Sequence, residues 1–318
     1  MCTALTFDAE NFYFGRNFDY HFSYGEEVVI TPRNFPLVLR TEKDIINHHA
    51  IIGMAYVAEN QPLYYDAANE KGLCMAALNF VGNAHYNKRI KDKINITHFE
   101  FIPFILGRCS SVNEAKRLIE NINITDESFN DKLPVSQLHW IIADKEGSIT
   151  VEAVKEGIKV YDNPVGVLTN NPSFPTQIFQ LNNYMRLSNK TPKNTFSDKV
   201  KLNAYSLGMG GLGLPGDLSS TSRFVRTTFA KLNSPKTKGE KQSVNQFFHI
   251  LGFAEQILGC NDIGEDEFEI TVYSSCCNAD KGIYYYKTYD DFTIRKIKMN
   301  SNNLESTTPF RYPVNLVY

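Results

Sequence analysis

Short runs of hydrophobic and β-branched residues, separated by polar turns, dominate both ends of the chain. The first two runs, residues 2–7 and 12–18, flank the polar segment 8–11, and this arrangement predicts a β-hairpin. Similar runs predict four further strands in the first quarter of the chain, at residues 28–31, 51–57, 63–67 and 73–80. The N-terminal quarter is therefore expected to form antiparallel sheet.

Helical and strand patterns alternate in blocks through the rest of the chain. Thr97 is a candidate cap for a helix over residues 99–108, and the capping box from Ser111 to Glu114 predicts a second helix over 115–122. Three more helices are predicted, at residues 174–187, 222–232 and 244–258. The other predicted strands are 138–143, 148–154, 158–161, 165–169, 268–274, 282–288 and 292–298. Antiparallel hairpins with segregated helices indicate an α+β fold.

The segment 188–218 is long, polar and rich in glycine. A loop of this length inside a compact domain usually has a function or a role in assembly. Residues 208–213 match the pattern G-x-G-x-x-G, but no clear strand precedes them and no helix begins after them, so a dinucleotide site is excluded. The chain shows no internal repeat and no linker, which predicts a single domain over residues 2–318.

Composition and charge narrow the class of protein. The 318 residues are 42% hydrophobic and 21% charged, which is typical of a folded globular protein. The formal net charge of −2 gives no electrostatic reason to expect nucleic acid or an anionic membrane as a partner. No apolar run approaches the roughly 20 residues of a membrane helix, and the N-terminus does not have the pattern of a secretory signal. A cytoplasmic location is therefore expected.

The six cysteines and the histidines suggest no metal centre. None of the cysteines forms a C-x-x-C pair, and their spacing predicts neither zinc binding nor a disulfide framework. His48 and His49 lack the spacing of metal ligands, and His139 is interpreted as a core or turn histidine.

Cys2 is the first candidate for chemistry. If Met1 is removed, one residue carries both a thiol nucleophile and an α-amine that can act as its base. Taken alone, a cysteine at this position is most often only the second residue of a protein. The polar residues Arg16 and Asp19 in the neighbouring strand favour the functional interpretation.

The hairpin places Arg16 close to Cys2. Its most regular register sets Cys2 opposite Asn17, and a slip of one residue sets it opposite Arg16 or Phe18. Arg16 therefore comes within about one residue of Cys2 across the ladder. Arg16 and Asp19 differ in parity and would point to opposite faces of a regular strand. Both can serve Cys2 only if the strand bends after Asn17. The alternative is that Arg16 and Asp19 form a surface ion pair.

Asn79 and Asn170 each stand at the end of a predicted strand. Asparagine in this place is most often part of a turn. The functional alternative is an oxyanion hole, in which amide and backbone N–H groups meet a developing negative charge. Arg223 falls in the first turn of a predicted helix, where a cation opposes the helix dipole, and this favours a specific partner over solvent.

Ordered blocks along essentially the whole chain resemble the choloylglycine hydrolases, that is, the bile salt hydrolases and their relatives the penicillin V acylases. The blocks are Met-Cys-Thr at 1–3, Phe-Gly-Arg-Asn-Phe-Asp at 14–19, Asn-Glu-Lys-Gly-Leu at 69–73, Leu-Asn-Phe at 78–80, Leu-His-Trp at 138–140, Gly-Val-Leu-Thr-Asn-Asn-Pro at 166–172, Leu-Pro-Gly-Asp at 214–217, Ser-Arg-Phe at 222–224 and Lys-Gly-Ile-Tyr-Tyr-Tyr at 281–286. Cys74 and Ala77 depart from the family, which usually has glycine at both positions.

The resemblance implies an N-terminal nucleophile hydrolase fold with four αββα layers, in which two antiparallel sheets lie between helical layers. It implies a homotetramer in which residues 188–222 reach across subunits. It also implies the catalytic residues, with Cys2 as the nucleophile and a set of five around it: Arg16, Asp19, Asn79, Asn170 and Arg223. In that mechanism Asp19 orients the α-amine, Asn170 and the backbone N–H of Asn79 hold the oxyanion, and no metal or cofactor is required.

The substrates that the resemblance implies are glycine- or taurine-conjugated bile acids. Asn79 is the residue type typical of bile salt hydrolases, whereas penicillin V acylases more often carry tyrosine there. A rigid steroid needs an apolar cleft, and four aromatic residues near the motifs are candidates to line it or, alternatively, to pack in the core: Phe18, Phe22, Tyr24 and Tyr65. The alternative functions are a penicillin V acylase or another N-acyl amidase on the same scaffold, and a catalytically silent protein that binds bile acids.

Overall fold

The computed structural model describes residues 1–314, and its centre is a pair of large antiparallel sheets. The first sheet has six strands in the order β12-β1-β2-β15-β16-β17. Their bounds are β1 (Cys2–Asp8), β2 (Phe12–Tyr20), β12 (Val167–Leu168), β15 (Ile270–Asn278), β16 (Ile283–Thr288) and β17 (Arg295–Lys298). The N-terminal hairpin therefore lies inside this sheet, with a neighbouring strand on each side.

The second sheet has eight strands in the order β11-β10-β9-β6-β5-β4-β3-β18. Their bounds are β3 (Glu27–Thr31), β4 (Ile51–Ala58), β5 (Gln61–Asn69), β6 (Cys74–Asn79), β9 (Leu138–Asp144), β10 (Gly147–Val154), β11 (Gly157–Asp162) and β18 (Phe310–Pro313). Two small two-stranded sheets join β7 (Ile94–Thr97) to β8 (Ile122–Thr125) and β13 (Asp262–Gly264) to β14 (Glu267–Phe268).

Helices cover the outer face of each sheet. α1 (Phe101–Arg108) and α2 (Val112–Ile119) pack on the eight-stranded sheet, and α4 (Ser220–Asn233) and α5 (Glu240–Gly252) pack on the six-stranded sheet. The shorter helices are α3 (Phe174–Gln180), which contacts α4, and α6 (Ser301–Leu304). The layer order is αββα, as the resemblance implies.

Two hydrophobic cores follow from this layering. One contains buried side chains of both sheets together with α4 and α5, and the other lies between the eight-stranded sheet and the pair α1 and α2. Alternate residues of β9 divide between them, because Ile141 belongs to the first core and Trp140 and Ile142 to the second. Strands that are buried on both faces explain the nearly continuous apolar runs in the sequence.

The register of the N-terminal hairpin is one of the two slipped registers that the sequence allows. Cys2 pairs with Phe18, and Arg16 pairs with Ala4. Arg16 is thus two positions from the partner of Cys2 rather than one, but it lies on the same face as a diagonal neighbour. The predicted proximity holds through this diagonal contact.

The strand bend predicted after Asn17 is wrong. The hairpin stays regular to its end, where Met1 and Asp19 exchange backbone hydrogen bonds of 2.9 and 3.0 Å. The irregularity lies in the neighbouring strand, where Val272 falls between the partners of Asp19 and Phe18. Because the hairpin remains regular, the side chains of Arg16 and Asp19 keep to opposite faces.

Several predicted boundaries also change. The helix predicted over 174–187 ends at Gln180 and continues as a 3₁₀ turn, Leu181–Tyr184, and the helix predicted over 244–258 is α5, which ends at Gly252. Thr97 is not a helix cap, because it closes β7, and α1 begins after Glu100. The cap at Ser111 is confirmed, since its hydroxyl accepts from the Glu114 backbone N–H.

The predicted loop 188–218 has almost no regular structure. Its one helical turn is the 3₁₀ turn Met209–Gly211, and most of its side chains are exposed. Within residues 1–314, no helix is long and apolar enough to cross a membrane.

Candidate active site

Cys2 opens β1, inside the six-stranded sheet, and its side chain is only 3% exposed. Its Sγ accepts a hydrogen bond from Nη2 of Arg16. Its backbone nitrogen donates to Asn170 Oδ1 at 2.8 Å, and its carbonyl oxygen accepts from Nη1 of Arg223. Every polar group of Cys2 therefore has a predicted site residue as its partner.

Arg16 reaches Cys2 from the space between the two sheets. Its Nη1 donates to the backbone carbonyls of Tyr65, at 3.1 Å, and Ala77, both in the eight-stranded sheet. Its Nε donates to the carbonyl of Asn17 at 3.3 Å. Three hydrogen bonds to carbonyls thus fix the plane of the buried guanidinium, and Nη2 is left to donate to the sulfur.

The charge of Arg16 is maintained by its surroundings. Burial by itself lowers the pKa of this guanidinium. The nearby Cys2 thiol, Tyr273 and Asp66 act in the opposite direction, and the pKa of Arg16 lies above its ordinary value. The sulfur of Cys2 therefore has a fixed positive charge as its hydrogen-bond donor.

Arg223 approaches Cys2 from the helical layer. Ser219 caps α4, and Arg223 in the first turn directs its side chain back towards the helix N-terminus, where Nε donates to the Leu218 carbonyl at 3.0 Å. Its Nη2 donates to Asn170 Oδ1 at 2.8 Å. Burial lowers the pKa of Arg223, and the charges of Asp19 and Cys2 oppose that shift.

Asn79 and Asn170 come from different sheets and meet beside Cys2. Asn79 ends β6, Asn170 follows β12, and Asn170 Nδ2 donates to the Asn79 carbonyl at 2.8 Å. Phe80, the next residue, donates its N–H to the Gln137 carbonyl at 2.8 Å. Because antiparallel pairing alternates, the backbone N–H of Asn79 faces away from β9, on the side of its own carbonyl and of Asn170.

Asp19 lies on the helix-facing side of the sheet and is fully buried. Its Oδ1 accepts from Thr271 Oγ1 at 2.7 Å, whereas Oδ2, 3.9 Å from Arg223 Nη1, has no hydrogen-bond partner among the described residues. Burial raises the pKa of Asp19, while Arg223 and the N-terminal amine lower it. The nitrogen of Cys2 bonds Asn170 in this structure rather than Asp19.

The N-terminal amine of Met1 lies next to this carboxylate. It donates to the Asp19 carbonyl at 2.9 Å and pairs with Glu269. Burial lowers the pKa of this amine, and the charges of Cys2 and Asp19 oppose the shift. A buried amine at this end of β1 is thus a stronger candidate for a neutral base than an exposed one.

The four aromatic candidates divide into two pairs. Phe18 is buried, packs against the tilted ring of Tyr65 with centroids 4.7 Å apart, and stacks on Tyr273 with centroids 5.3 Å apart. Phe22 and Tyr24 are 41% and 37% exposed, and their rings are 4.6 Å apart. The first pair packs against the residues around Cys2, and the second forms an aromatic surface on the segment after β2.

Asp66 is a buried residue near the site that the sequence patterns did not indicate. It is buried between the sheets and accepts hydrogen bonds from the hydroxyls of Tyr273, Tyr284 and Ser275 at 2.7, 2.7 and 2.9 Å. Burial raises the pKa of Asp66, and Arg16 opposes the shift. A single carboxylate inside an otherwise apolar predicted strand was the available signal, because a buried carboxylate needs partners.

Three hydroxyl groups also form hydrogen bonds with site residues, and no sequence pattern predicted these contacts. They belong to Thr3, which accepts from Arg223, Thr271, which donates to Asp19, and Ser220, which accepts from the Asn170 backbone N–H.

The remaining cysteines are unlike Cys2. All six cysteines are unpaired. Cys74 is fully buried, and burial raises the pKa of its thiol well above the ordinary value, which makes it a poor nucleophile. Within residues 1–314, no group of three histidine, cysteine, aspartate or glutamate side chains is placed to hold a metal ion.

Comparison with known proteins agrees with this geometry. The family described as linear amide C–N hydrolases, choloylglycine hydrolase family, matches residues 2–312. A bile salt hydrolase/transferase of Lactiplantibacillus plantarum is 57% identical over 314 residues, which cover 99% of this chain and 97% of that protein.

Solved structures extend the comparison to the fold. A variant of the conjugated bile acid hydrolase of Clostridium perfringens superposes with a TM-score of 0.92 at 35% identity, covering 99% of this chain and 97% of that one. The penicillin V acylase of Agrobacterium tumefaciens shares the fold, with a TM-score of 0.76 at 18% identity over 98% of this chain and 90% of that one. The chain therefore belongs to the choloylglycine hydrolase family of linear amide C–N hydrolases.

Proposed function

We propose that this chain hydrolyses the amide bond of glycine- or taurine-conjugated bile acids through Cys2 and an acyl thioester. The observation that carries the proposal is the surroundings of Cys2. Its sulfur contacts Arg16, and its nitrogen and carbonyl contact Asn170 and Arg223. The names of the relatives with high identity over the full chain support the choice of substrate.

The first step is the activation of the nucleophile. Removal of Met1 makes the Cys2 nitrogen a primary amine, which accepts the thiol proton while Arg16 stabilises the thiolate. Asp19 Oδ2, which is buried and has no hydrogen-bond partner within residues 1–314, is the acceptor that we assign to the additional amine hydrogens. Asn170 Oδ1 already accepts from this nitrogen and orients it.

The thiolate then attacks the amide carbonyl of the substrate. The new C–S bond places negative charge on the former carbonyl oxygen, and two donors are assigned to it. One is the second Nδ2 hydrogen of Asn170, since the first is bonded to the Asn79 carbonyl, and the other is the Asn79 backbone N–H. Loss of one such donor typically costs about 3 kcal/mol of barrier.

Collapse of the intermediate breaks the C–N bond. The protonated Cys2 amine gives its proton to the nitrogen of the departing glycine or taurine, and the acyl group stays on the sulfur as a thioester. A water molecule, deprotonated by the same amine, attacks the thioester and releases the bile acid and the thiolate. The nitrogen of one residue therefore acts as base, acid and base in turn.

The acyl half of the substrate is a rigid apolar steroid. We assign Phe22 and Tyr24 to its recognition because both rings are exposed beside the site. Phe18 and Tyr65 form the more buried aromatic pair beside them. Tyr20 joins the two pairs, since its ring lies 5.0 Å from Phe22 and 6.2 Å from Phe18.

The test compares turnover of glycocholate, taurocholate and penicillin V by the purified protein. We expect the conjugated bile salts to be cleaved faster. Much faster cleavage of penicillin V would favour an acylase on the same scaffold. Cys2→Ala should lose essentially all turnover and keep bile salt binding, whereas equal behaviour of parent and variant would indicate a silent binding protein. Intact mass spectrometry should show Met1 missing, and active protein that retains Met1 would refute the mechanism.

We further propose that the protein assembles as a homotetramer and is located in the cytoplasm. The exposed apolar side chains of the segment 188–218 support an assembly role, since large apolar groups in solvent are typical of contact surfaces. Six unpaired cysteines support a reducing location. Light scattering of the purified protein and fractionation of cells test these two proposals.

A further inference from the structure

His139 and Glu152 form a buried polar pair behind the site. Their side chains are 0% and 1% exposed. They lie directly opposite each other on β9 and β10, and alternation along β9 places His139 on the same side as Ile141, which faces the six-stranded sheet. The proposed mechanism gives neither residue a role.

The imidazole ring touches the chain neighbours of both site asparagines. It stacks on Phe80, with centroids 4.4 Å apart and an interplanar angle of 5°. Its Nε2 lies 2.8 Å from the Thr169 carbonyl oxygen. Phe80 directly follows Asn79, and Thr169 directly precedes Asn170. One ring thus connects the two chain segments that carry the assigned oxyanion donors.

The contacts of its two ring nitrogens fix the orientation of the His139 ring. A carbonyl oxygen only accepts, so Nε2 carries a hydrogen. Nδ1 lies 3.4 Å from Glu152 Oε1, so the carboxylate faces the other ring nitrogen. The same Oε1 accepts from the Phe174 backbone N–H at 2.8 Å, which ties the carboxylate to the start of α3. Glu152 therefore orients the ring that contacts Thr169.

We propose that His139, oriented by Glu152, is a positioning residue that sets the separation between the oxyanion donors of Asn79 and Asn170. The two asparagines belong to different sheets, and β12, which carries Asn170, is only two residues long. A ladder of that length fixes the strand end weakly, and His139 supplies a link from sheet to sheet. This inference rests on the proposed function.

Two substitutions of similar polarity test the link. The amide nitrogen of glutamine reaches about as far as Nε2, so H139Q keeps a donor for the Thr169 carbonyl, whereas the shorter side chain of H139N does not. We expect H139Q to retain kcat on glycocholate within about 3-fold, and H139N to lose about 10- to 100-fold with little change in KM. Equal losses in both variants would overturn the proposal.

A control separates positioning from general stability. His98 is also buried and also stacks on an aromatic ring, Tyr86, with an interplanar angle of 5°, but Tyr86 belongs to the core beneath α1 and α2. H98F should leave kcat unchanged. A loss in H98F equal to that in H139N would mean that any buried histidine matters only through folding, and the proposal would fail.

A second readout does not depend on the substrate. In crystal structures, the distance of 2.8 Å from Asn170 Nδ2 to the Asn79 carbonyl should lengthen in H139N and stay the same in H139Q. An unchanged distance in H139N overturns the positioning role. If the parent protein does not cleave conjugated bile salts, the proposed function is refuted. The crystallographic distance between the two asparagines still tests the positioning role of His139 in that case.

A variant at Glu152 covers the case in which H139N does not fold. E152L keeps the imidazole and removes the carboxylate that orients it, together with the acceptor of the Phe174 backbone N–H. We expect a loss of kcat in the same direction as in H139N, with KM little changed, and a lengthened distance between the two asparagines. Parent-like kcat in folded E152L would overturn the proposal.

Discussion

Arg16 and Arg223 hold Cys2 from opposite faces of one strand. Arg16 contacts the sulfur from the space between the sheets, and Arg223 contacts the backbone carbonyl from the helical layer. A residue inside a strand presents its side chain to one face only. At the end of a strand the backbone groups are accessible as well, so two cations can act on one residue without contacting each other.

The first prediction concerns the planar guanidinium of Arg16. Lysine keeps the charge but replaces a planar set of donors by one flexible ammonium, which cannot bond two carbonyls and the sulfur in a fixed geometry. We expect Arg16→Lys to lower kcat/KM for glycocholate by about 100-fold. Arg89→Lys, at an exposed ion pair with Glu127, is the control and should have no effect. Parent-like kinetics in Arg16→Lys would show that charge alone suffices.

The second prediction concerns pH and His98. Burial lowers the pKa of His98 from 6.5 to about 4. Between these values the unfolded chain binds a proton that the folded protein does not, so stability falls as the pH decreases from 6.5 to 4, by about 3 kcal/mol. His98→Phe should remove that part of the slope. Urea unfolding at several pH values measures it, and equal slopes for parent and variant would contradict the prediction.

Whether the sequence could predict a contact of Cys2 depends on how far along the chain its partner lies. The proximity of Arg16 to Cys2 needs only a hairpin, because 14 residues separate them. Asn170 and Arg223 reach Cys2 from 168 and 221 residues away, and only the resemblance to a family placed them. Local patterns carry no information on such long-range contacts, and Asp66 was missed for the same reason, whereas His139 is a buried core histidine, as the sequence suggested.

At the scale of elements, the close contact between β2 and β15 depends on Gly15. A Cβ atom at this position would lie 2.0 Å from the Ser275 carbonyl oxygen and 2.9 Å from the Cys276 Cα. Both are backbone atoms in the middle of the sheet and cannot move aside cheaply.

The third prediction follows from this contact. We expect Gly15→Ala to lower the free energy of unfolding by about 3 kcal/mol, because the strands must separate to admit the methyl group. Gly147→Ala is the matched control, since no heavy atom lies within 4 Å of its Cβ position. Urea denaturation of both variants measures the difference. Equal midpoints would show that the sheet absorbs the extra atom.

The pair β7 and β8 shows a limit of strand prediction. Both strands read Ile-Asn-Ile-Thr, and they pair in parallel with identical residues opposite each other. Asn123 Nδ2 donates to Asn95 Oδ1 at 2.9 Å, so this pair of asparagines links the two strands. The second tetrapeptide begins at Ile122, the last residue of the helix predicted over 115–122, and the pair was missed although its two tetrapeptides are identical.

At the scale of the whole molecule, the segment 188–218 exposes large apolar side chains. Leu207 is 92% exposed and Tyr205 82%. Such groups in solvent cost free energy that a partner surface recovers. Pattern analysis predicted a long functional or assembly loop, whereas the αββα layering came from the resemblance, because periodicity indicates strands and helices but not which sheet faces which.

The fourth prediction tests assembly. If this segment contacts other subunits, Leu207→Glu places a charge in a contact and should shift the protein from tetramer to smaller species at micromolar concentration. Ile46→Glu, at another exposed aliphatic side chain, should leave the mass unchanged. Light scattering coupled to size-exclusion chromatography gives the mass. A parent that is monomeric would contradict the proposed tetramer directly.

The hydrogen bonds that hold Met1 at the end of the hairpin limit when this residue can be removed during synthesis. Met1 pairs with Asp19 in the ladder, and its amine is held by Glu269, so a peptidase would have to open this end of the hairpin to reach the first peptide bond of the folded protein. At about 5–20 residues synthesised per second, the ribosome needs about 15–50 s to reach β15, the strand that encloses the hairpin. The proposed mechanism therefore requires that Met1 be removed within that interval, before β15 encloses the hairpin.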